Sequence, residues 1–191
     1  NSEAERELAK GCDTPLVIVS NTQTKGRGRM GREWHSADDK NLYMSFVFRP
    51  NLAPAKMKKF TLWMGLSFCH FINEKYKVPA KIKWPNDIMC DEKKLAGMLT
   101  EARIAFDHTR DLIFGLGLNV NTSTEEWPEE LRSIAISLGE LTKSNWNMCQ
   151  LSSGIIETIM NAYDSFITGD FEAKFDETWE KYDYLSGQKI Y

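Results

Sequence analysis

Cysteine is scarce in this chain of 191 residues, and the four present do not cluster. Cys12, Cys69, Cys90 and Cys149 lie far apart with no C-x-x-C spacing, which argues against a disulfide frame and against a zinc site. The pattern fits reduced thiols in the cytoplasm. Long apolar runs are missing as well: none reaches the ~18 residues of a membrane-spanning helix. Positive charge is also short. The formal net charge is −3 and the pI is near 5.7. A general binder of nucleic acid or of anionic membranes carries the opposite balance. The charged N-terminus has no secretory signal pattern, and the chain has no internal repeat and no low-complexity tract.

Within those bounds the chain is long enough for one domain with a real core. Ser2 and Glu5 predict a capping box for a short helix to Lys10, stopped by Gly11. LVIVSN (16–21) reads as a buried strand, residues 22–40 as a long polar loop, and LYMSFVFR (42–49) as a second strand. Pro54 can open a helix to about Tyr76. AKIKW (80–84) and NDIMC (86–90) predict short strands hinged at Pro85, followed by a turn at 91–93 and strand KLAGMLTEA (94–102). A turn at 107–110 leads to strand DLIFGLGLNV (111–120). Met148, Leu151, Ile155, Ile159, Tyr163 and Phe166 recur at helical spacing up to Gly169, and a shorter helix carries Phe171, Phe175, Trp179 and Tyr182. Strands in the middle with helices around them predict an α+β fold, a mixed central β-sheet flanked by helices.

One segment runs against the acidic balance. KGRGRMGREW (25–34) sets Lys25, Arg27, Arg29 and Arg32 among Gly26, Gly28 and Gly31. The spacing matches G-x-G-x-x-G, but a dinucleotide site needs a strand directly before it and a helix directly after it. Here a polar gap precedes and REWHSADDKN follows. No P-loop pattern occurs, and the segment is too short for an Arg/Gly nucleic-acid tract. A solvated surface loop with incidental charge is one reading. The sharper one is a mobile loop that closes on an anionic ligand. Guanidinium forks bind phosphate or carboxylate at two points, and glycines let the backbone approach.

Other segments can complete such a site. KWPND (83–87) forms a turn on the plain reading. On the functional one, Asp87 holds Mg²⁺ on a triphosphate and Asn86 binds a polar ligand edge. Lys94 opens a strand, where a lysine is usually solvated, and Gly97 inside it marks a close approach. Gly115 and Gly117 repeat that device ahead of Asn119, although a bulge would explain them equally well. Trp34 reads as core or as a ligand platform.

Gln23, GRGRMGREW (26–34), KWPND (83–87), KLAGMLTE (94–101) and GLGLNV (115–120) together resemble, in order and spacing, the biotin protein ligases, which attach biotin to carboxylase carrier domains. The likeness covers essentially the entire chain. It implies a class II synthetase-like biotin/lipoate ligase catalytic domain over 1–185, with 186–191 as the start of a small C-terminal β-domain. It also implies an enzyme that uses ATP and biotin, with Mg²⁺, forms biotinyl-5′-AMP, and transfers the biotinyl group to a lysine of a biotin carboxyl carrier domain. By the same resemblance, Arg29 and Lys94 would be catalytic, contacting the carboxylate and α-phosphate. Arg27 and Arg32 would help close the loop and hold phosphates. Gln23 and the backbone of Gly26, Arg27 and Gly28 would meet the ureido ring, with Asn1 nearby in the same binding set. Gly97 and Gly117 would make room for the fused ring and tail, and Leu99 belongs to the same binding set. Trp34 would support the adenylate side, Asn86 and Asn119 its polar edges, and Asp87 the metal. No nucleic-acid or membrane partner is implied, and a homodimer through an exposed sheet edge is compatible. A lipoate or octanoate ligase on the same fold is an alternative, although its R-R-x-S-G-G-G-x-V-x-H-D-like stretch is absent. A non-catalytic module that binds an anionic metabolite is another.

Overall fold

The computed structural model describes residues 1–36 and 39–187. Six strands form one sheet in the order β1-β2-β6-β5-β4-β3. They are β1 (Leu16–Ser20), β2 (Asn41–Phe48), β3 (Lys81–Lys83), β4 (Asp87–Cys90), β5 (Lys93–Ala105) and β6 (His108–Asn119). The α+β expectation is met, but the sheet is not mixed: all five strand pairs are antiparallel. The reason lies in the connections. From β3 to β6 each strand follows the last after two or three residues, and a parallel neighbour needs a crossover of a dozen or more. Parallel pairing is limited to single bridges, Ile82 with Asp183 and Lys94 with Ala135.

Alternation along the strands sorts the side chains onto two faces. Leu42, Met44, Phe46 and Phe48 of β2, and Leu112, Phe114, Leu116 and Leu118 of β6, enter the main core. That core is closed by α2 (Phe60–Tyr76), α5 (Met148–Thr168) and α6 (Glu172–Tyr182), through Phe60, Met64, Phe68, Leu151, Ile155, Ile159 and Phe175. Each such side chain removed from water contributes roughly 1.5–3 kcal/mol. The opposite face carries Val47 and Ile113 beneath Ala4 and Leu8 of α1 (Ser2–Ala9), and continues past them with Tyr43, Ser45, Gly97, Gly115 and Gly117. One face is therefore fully covered. The other is covered only at one end.

The helix ends follow local chemistry. The Asn147 side chain accepts from the Gln150 N–H at 3.1 Å at the start of α5, and Gly169 ends it at φ +87°. Residues 54–59 form a 3₁₀ turn before α2, where the sequence predicted one continuous helix. In α1 the expected capping box of Ser2 and Glu5 does not form: Asn1 is the capping residue, and its side chain is engaged elsewhere. β1 is an edge strand with Val19 exposed, not the buried strand its apolar run predicted. The β5–β6 hairpin is longer than predicted and turns at Phe106 and Asp107. Two short helices, α3 (Glu129–Arg132) and α4 (Leu138–Thr142), lie in a stretch that sequence reading left unassigned. The strand expected within 186–191 falls on residues 188–191, outside the described ones. No described helix is long and apolar enough to cross a membrane.

Candidate functional site

The uncovered part of the sheet is the floor of a cleft of about 850 Å³. Three segments wall it: α1 on one side, the basic loop on top, and the 84–87 turn at the far end. The floor is low because Gly97 and Gly117 are register partners on neighbouring strands, and Gly115 pairs with Leu99 one step along. Three positions without side chains thus open the space that the sheet surface would otherwise fill.

The basic loop is folded as a small hairpin. The Gly28 N–H donates to the Arg32 carbonyl at 2.7 Å, the Trp34 N–H donates to the Gly26 carbonyl at 3.0 Å, and Arg27 bridges to Glu33. The tip, residues 29–31, makes one 3₁₀ turn, with Met30 at φ 56° and Gly31 at φ 74°. Gly26 is required for steric reasons: a β-carbon there would overlap the Trp34 backbone carbonyl. Gly26→Ala should therefore break this pairing. We expect faster trypsin cleavage after Arg27, Arg29 and Arg32 than in the unsubstituted protein, with global stability little changed. Equal cleavage would mean the pairing does not order the loop.

Each cation has a distinct setting. Arg27 lies 3.4 Å from Glu101 and 3.6 Å from Glu5, so it ties the loop to β5 and α1. Arg29 donates to Asn86 Oδ1 at 3.4 Å, a long contact that joins the loop tip to the 84–87 turn. Arg32 and Lys25 line the cleft, and their side chains make no hydrogen bond or ion pair among the described residues. Lys94 Nζ sits 2.7 Å from Asp87 Oδ1 and 5.0 Å from the Trp34 ring centroid. The ammonium is an ion-pair neighbour of Asp87 without an aligned hydrogen bond to Oδ1. Trp34 itself lies over the glycine floor. A β-carbon on Gly97 would collide with its ring, and one on Gly117 would stand 3.0 Å from it. Its Nε1 is buried and has no hydrogen-bond partner among the described residues.

The other residues singled out by sequence fall around this stack. Asn1 Nδ2 donates to the Leu99 carbonyl at 3.3 Å and to Glu101 at 2.6 Å, while its Oδ1 accepts from Ser45 at 2.9 Å. Gln23 lines the cleft beside them. Asn86 is fixed by two contacts with Met98: its Nδ2 donates to the Met98 carbonyl, and its own carbonyl accepts from the Met98 N–H, both at 2.9 Å. Two positions brace the cleft instead of lining it. Gly26 belongs to the hairpin. Asn119 is 4% exposed, and its Nδ2 donates to the carbonyls of Lys94 and Ile136 at 3.1 Å each, so the structure corrects the expectation that it faces a ligand. The 134–136 segment in turn pairs with both the N–H and the carbonyl of Lys94.

Sequence reading missed Ser45, Glu101 and that segment. Ser45 had a signal, a lone polar side chain inside the apolar run LYMSFVF. Glu101 and the segment depend on contacts across distant parts of the chain. Among the described residues no group of three His, Cys, Asp or Glu side chains could hold a metal. A single carboxylate at Asp87 suits an ion whose other ligands are phosphate and water, as Mg²⁺ usually prefers.

A sequence profile of the biotin/lipoate A/B protein ligase family matches residues 3–119, which carry the loop, the turn and both glycine-bearing strands. The chain belongs to this family. It is 34% identical over 166 residues to the bifunctional ligase/repressor BirA of Bacillus subtilis, covering 87% of this chain and 51% of that protein. It is 30% identical over 139 residues to the biotin–[acetyl-CoA-carboxylase] ligase of Mycobacterium tuberculosis, covering 70% of this chain and 50% of that one. The chain thus spans about half the length of these relatives. Among solved structures, the biotin protein ligase of Aquifex aeolicus in complex with biotin and ATP superposes with a TM-score of 0.79 at 30% identity, covering 95% of this chain and 74% of that one. In this chain the matched region places the glycine-rich basic loop over the glycine-floored sheet.

Proposed function

We propose that this chain is the catalytic part of an ATP-dependent biotin ligase, which forms biotinyl-5′-AMP and passes the biotinyl group to a lysine of a biotin carboxyl carrier domain in the cytoplasm. The observation that carries this reading is the stack over the floor: Gly97 and Gly117, then Trp34, then Lys94, with Arg29 on the loop above. A recess made of backbone and an indole suits an apolar ring and tail. The cations at its edge suit a carboxylate and a phosphate. The Aquifex relative was solved with biotin and ATP together, which supports the same pairing of ligands here.

In the first step the biotin carboxylate attacks the α-phosphorus, an O–P bond forms, and pyrophosphate leaves. Two anions must meet, and their repulsion falls only if cations stand between them. Arg29 and Lys94 take that role. Arg32 and Lys25, lining the cleft with no ion pair among the described residues, are available to the leaving phosphates. Arg27 holds the loop shut through Glu5 and Glu101. Asn1, Gln23, Arg27 and Gly28 line the recess and would take the polar ureido group. Asp87 is the carboxylate that would hold a Mg²⁺ accompanying ATP. Before that it is the counter-ion of Lys94. In the second step the carrier lysine amine attacks the acyl carbon, a C–N bond forms, the acyl–phosphate bond breaks, and AMP leaves with the amine proton released to water.

Biotin-dependent exchange of labelled pyrophosphate into ATP tests the reading. Exchange is expected with biotin and not with lipoate or octanoate. Exchange with lipoate or octanoate alone would move the chain to the lipoate branch, and none with any acid would leave a binding module.

A further inference from the structure

Two large apolar side chains stand in water at the mouth of the cleft. Met30 is 92% exposed and Trp84 is 63% exposed. Met30 occupies the tip of the basic hairpin, and Trp84 opens the turn on the opposite wall. These walls meet where Arg29 reaches Asn86, so the two apolar groups flank the entrance. The exposed charge beside them is mainly positive: Lys25, Arg29 and Arg32 line the mouth, against Glu33 on the same hairpin. Exposed apolar groups rimmed by charge mark contact surfaces, and Trp is over-represented among interface anchors, while Met adapts its shape to a partner.

A small ligand does not account for them. A bound small molecule buries most of its surface in a concavity, and here that concavity is the glycine floor. Side chains this open, on the outer lip, fit something larger that covers the mouth. The reaction supplies such a visitor. The acceptor lysine must enter by this mouth to reach the acyl carbon, so the residues beside it must pass over the lip.

We propose that Met30 and Trp84 form a two-point landing for the acceptor-bearing turn of the carrier domain. That turn would have an apolar side chain next to its lysine and acidic residues around it, to match the cationic lip. The proposal rests on the ligase reading. The two points lie on different walls, one on the loop and one on the 84–87 turn. The landing is therefore complete only when the loop stands over the cleft, which ties docking to closure.

The test separates the two half-reactions in Met30→Ser, Trp84→Ala and the double variant. Pyrophosphate exchange reads adenylate formation. Biotin transfer to a purified carrier domain of a bacterial acetyl-CoA carboxylase reads docking plus chemistry. Transfer to hydroxylamine reads chemistry with a nucleophile that needs no docking. Exchange and hydroxylamine transfer should stay within about twofold of the unsubstituted protein, the scatter of an uncoupled site. kcat/KM for the carrier should fall about tenfold in the double variant, equivalent to about 1.4 kcal/mol, chiefly through KM. Replacing the apolar residues beside the carrier lysine with serine should cost the unsubstituted enzyme a similar factor and the double variant little more. Carrier kinetics that do not change would overturn the landing. So would an equal loss in exchange, which would seat Trp84 or Met30 against the small substrates. Absence of exchange in the unsubstituted protein strikes the ligase reading itself.

Discussion

Replacing Lys94 with alanine will slow adenylate formation about 10²–10³-fold, the usual effect of removing one preorganised donor from developing charge, and will leave the fold nearly as stable. The lysine is already held at the cleft. Its backbone is paired on one side by residues 134–136 and capped by the Asn119 amide, and its ammonium rests between Asp87 and the Trp34 ring. Little of the chain has to be rearranged to bring it to a phosphate. Its contribution to folding is small, because the side chains of Lys94 and Asp87 are about a third exposed, at 33% and 31%. Ion pairs that open to solvent contribute about 0–1 kcal/mol. Single-turnover release of pyrophosphate, read beside thermal melting, measures both parts. An unchanged rate would return Lys94 to an ordinary surface pair with Asp87. A large drop in melting temperature would mean that it holds structure.

Arg29→Gly should separate making the intermediate from keeping it. Arg29 reaches across the cleft mouth to Asn86, a contact that joins the loop tip to the far wall. If Arg29 meets the reacting group as proposed, the variant loses a charge-assisted contact worth roughly 1.5–3 kcal/mol. It also gains chain freedom at the tip of a hairpin that already contains Gly28 and Gly31. Lys94 remains, so adenylate still forms, but it leaves sooner. A free acyl-adenylate reacts with any amine, whereas a retained one meets only a docked lysine. With biotin, ATP and albumin as bystander, the variant should label albumin lysines many times faster than the unsubstituted enzyme does. Equal albumin labelling with measurable adenylate in both proteins would show that Arg29 binds without gating.

Helix α5 was legible because six apolar side chains repeat over five turns and Gly169 ends them. The β3–β6 run was legible through its turn residues. Strand direction was not, because an apolar run looks the same whichever way its neighbour points. The hairpin inside the basic loop was hidden for another reason: backbone groups make it, and Gly26, Gly28, Arg32 and Trp34 betray nothing of their pairing. Lys94, Gly97, Gly117, Arg29 and Asn86, picked out by motif order, line one cleft in the fold. Asn119 was misplaced because alternation puts it on the floor's face, while segment 134–136, far along the chain, covers that end of the sheet. Helix α4 did carry a readable signal. Ser137 and Glu140 stand at capping-box spacing and form that box in the fold. The short length of the helix gave no periodicity to go with it.

Trp34 fills part of the recess that Gly97 and Gly117 open, yet it belongs to a different segment from either. A chamber walled by its own sheet has one size. Here one wall is carried by the basic loop, so the room left for a guest would depend on where a loop acting as a door came to rest. Choosing a guest by its bulk and shutting it in become the same event. A longer or wider acid could then be admitted by changes at the hinge ends of the loop, without cutting into the floor.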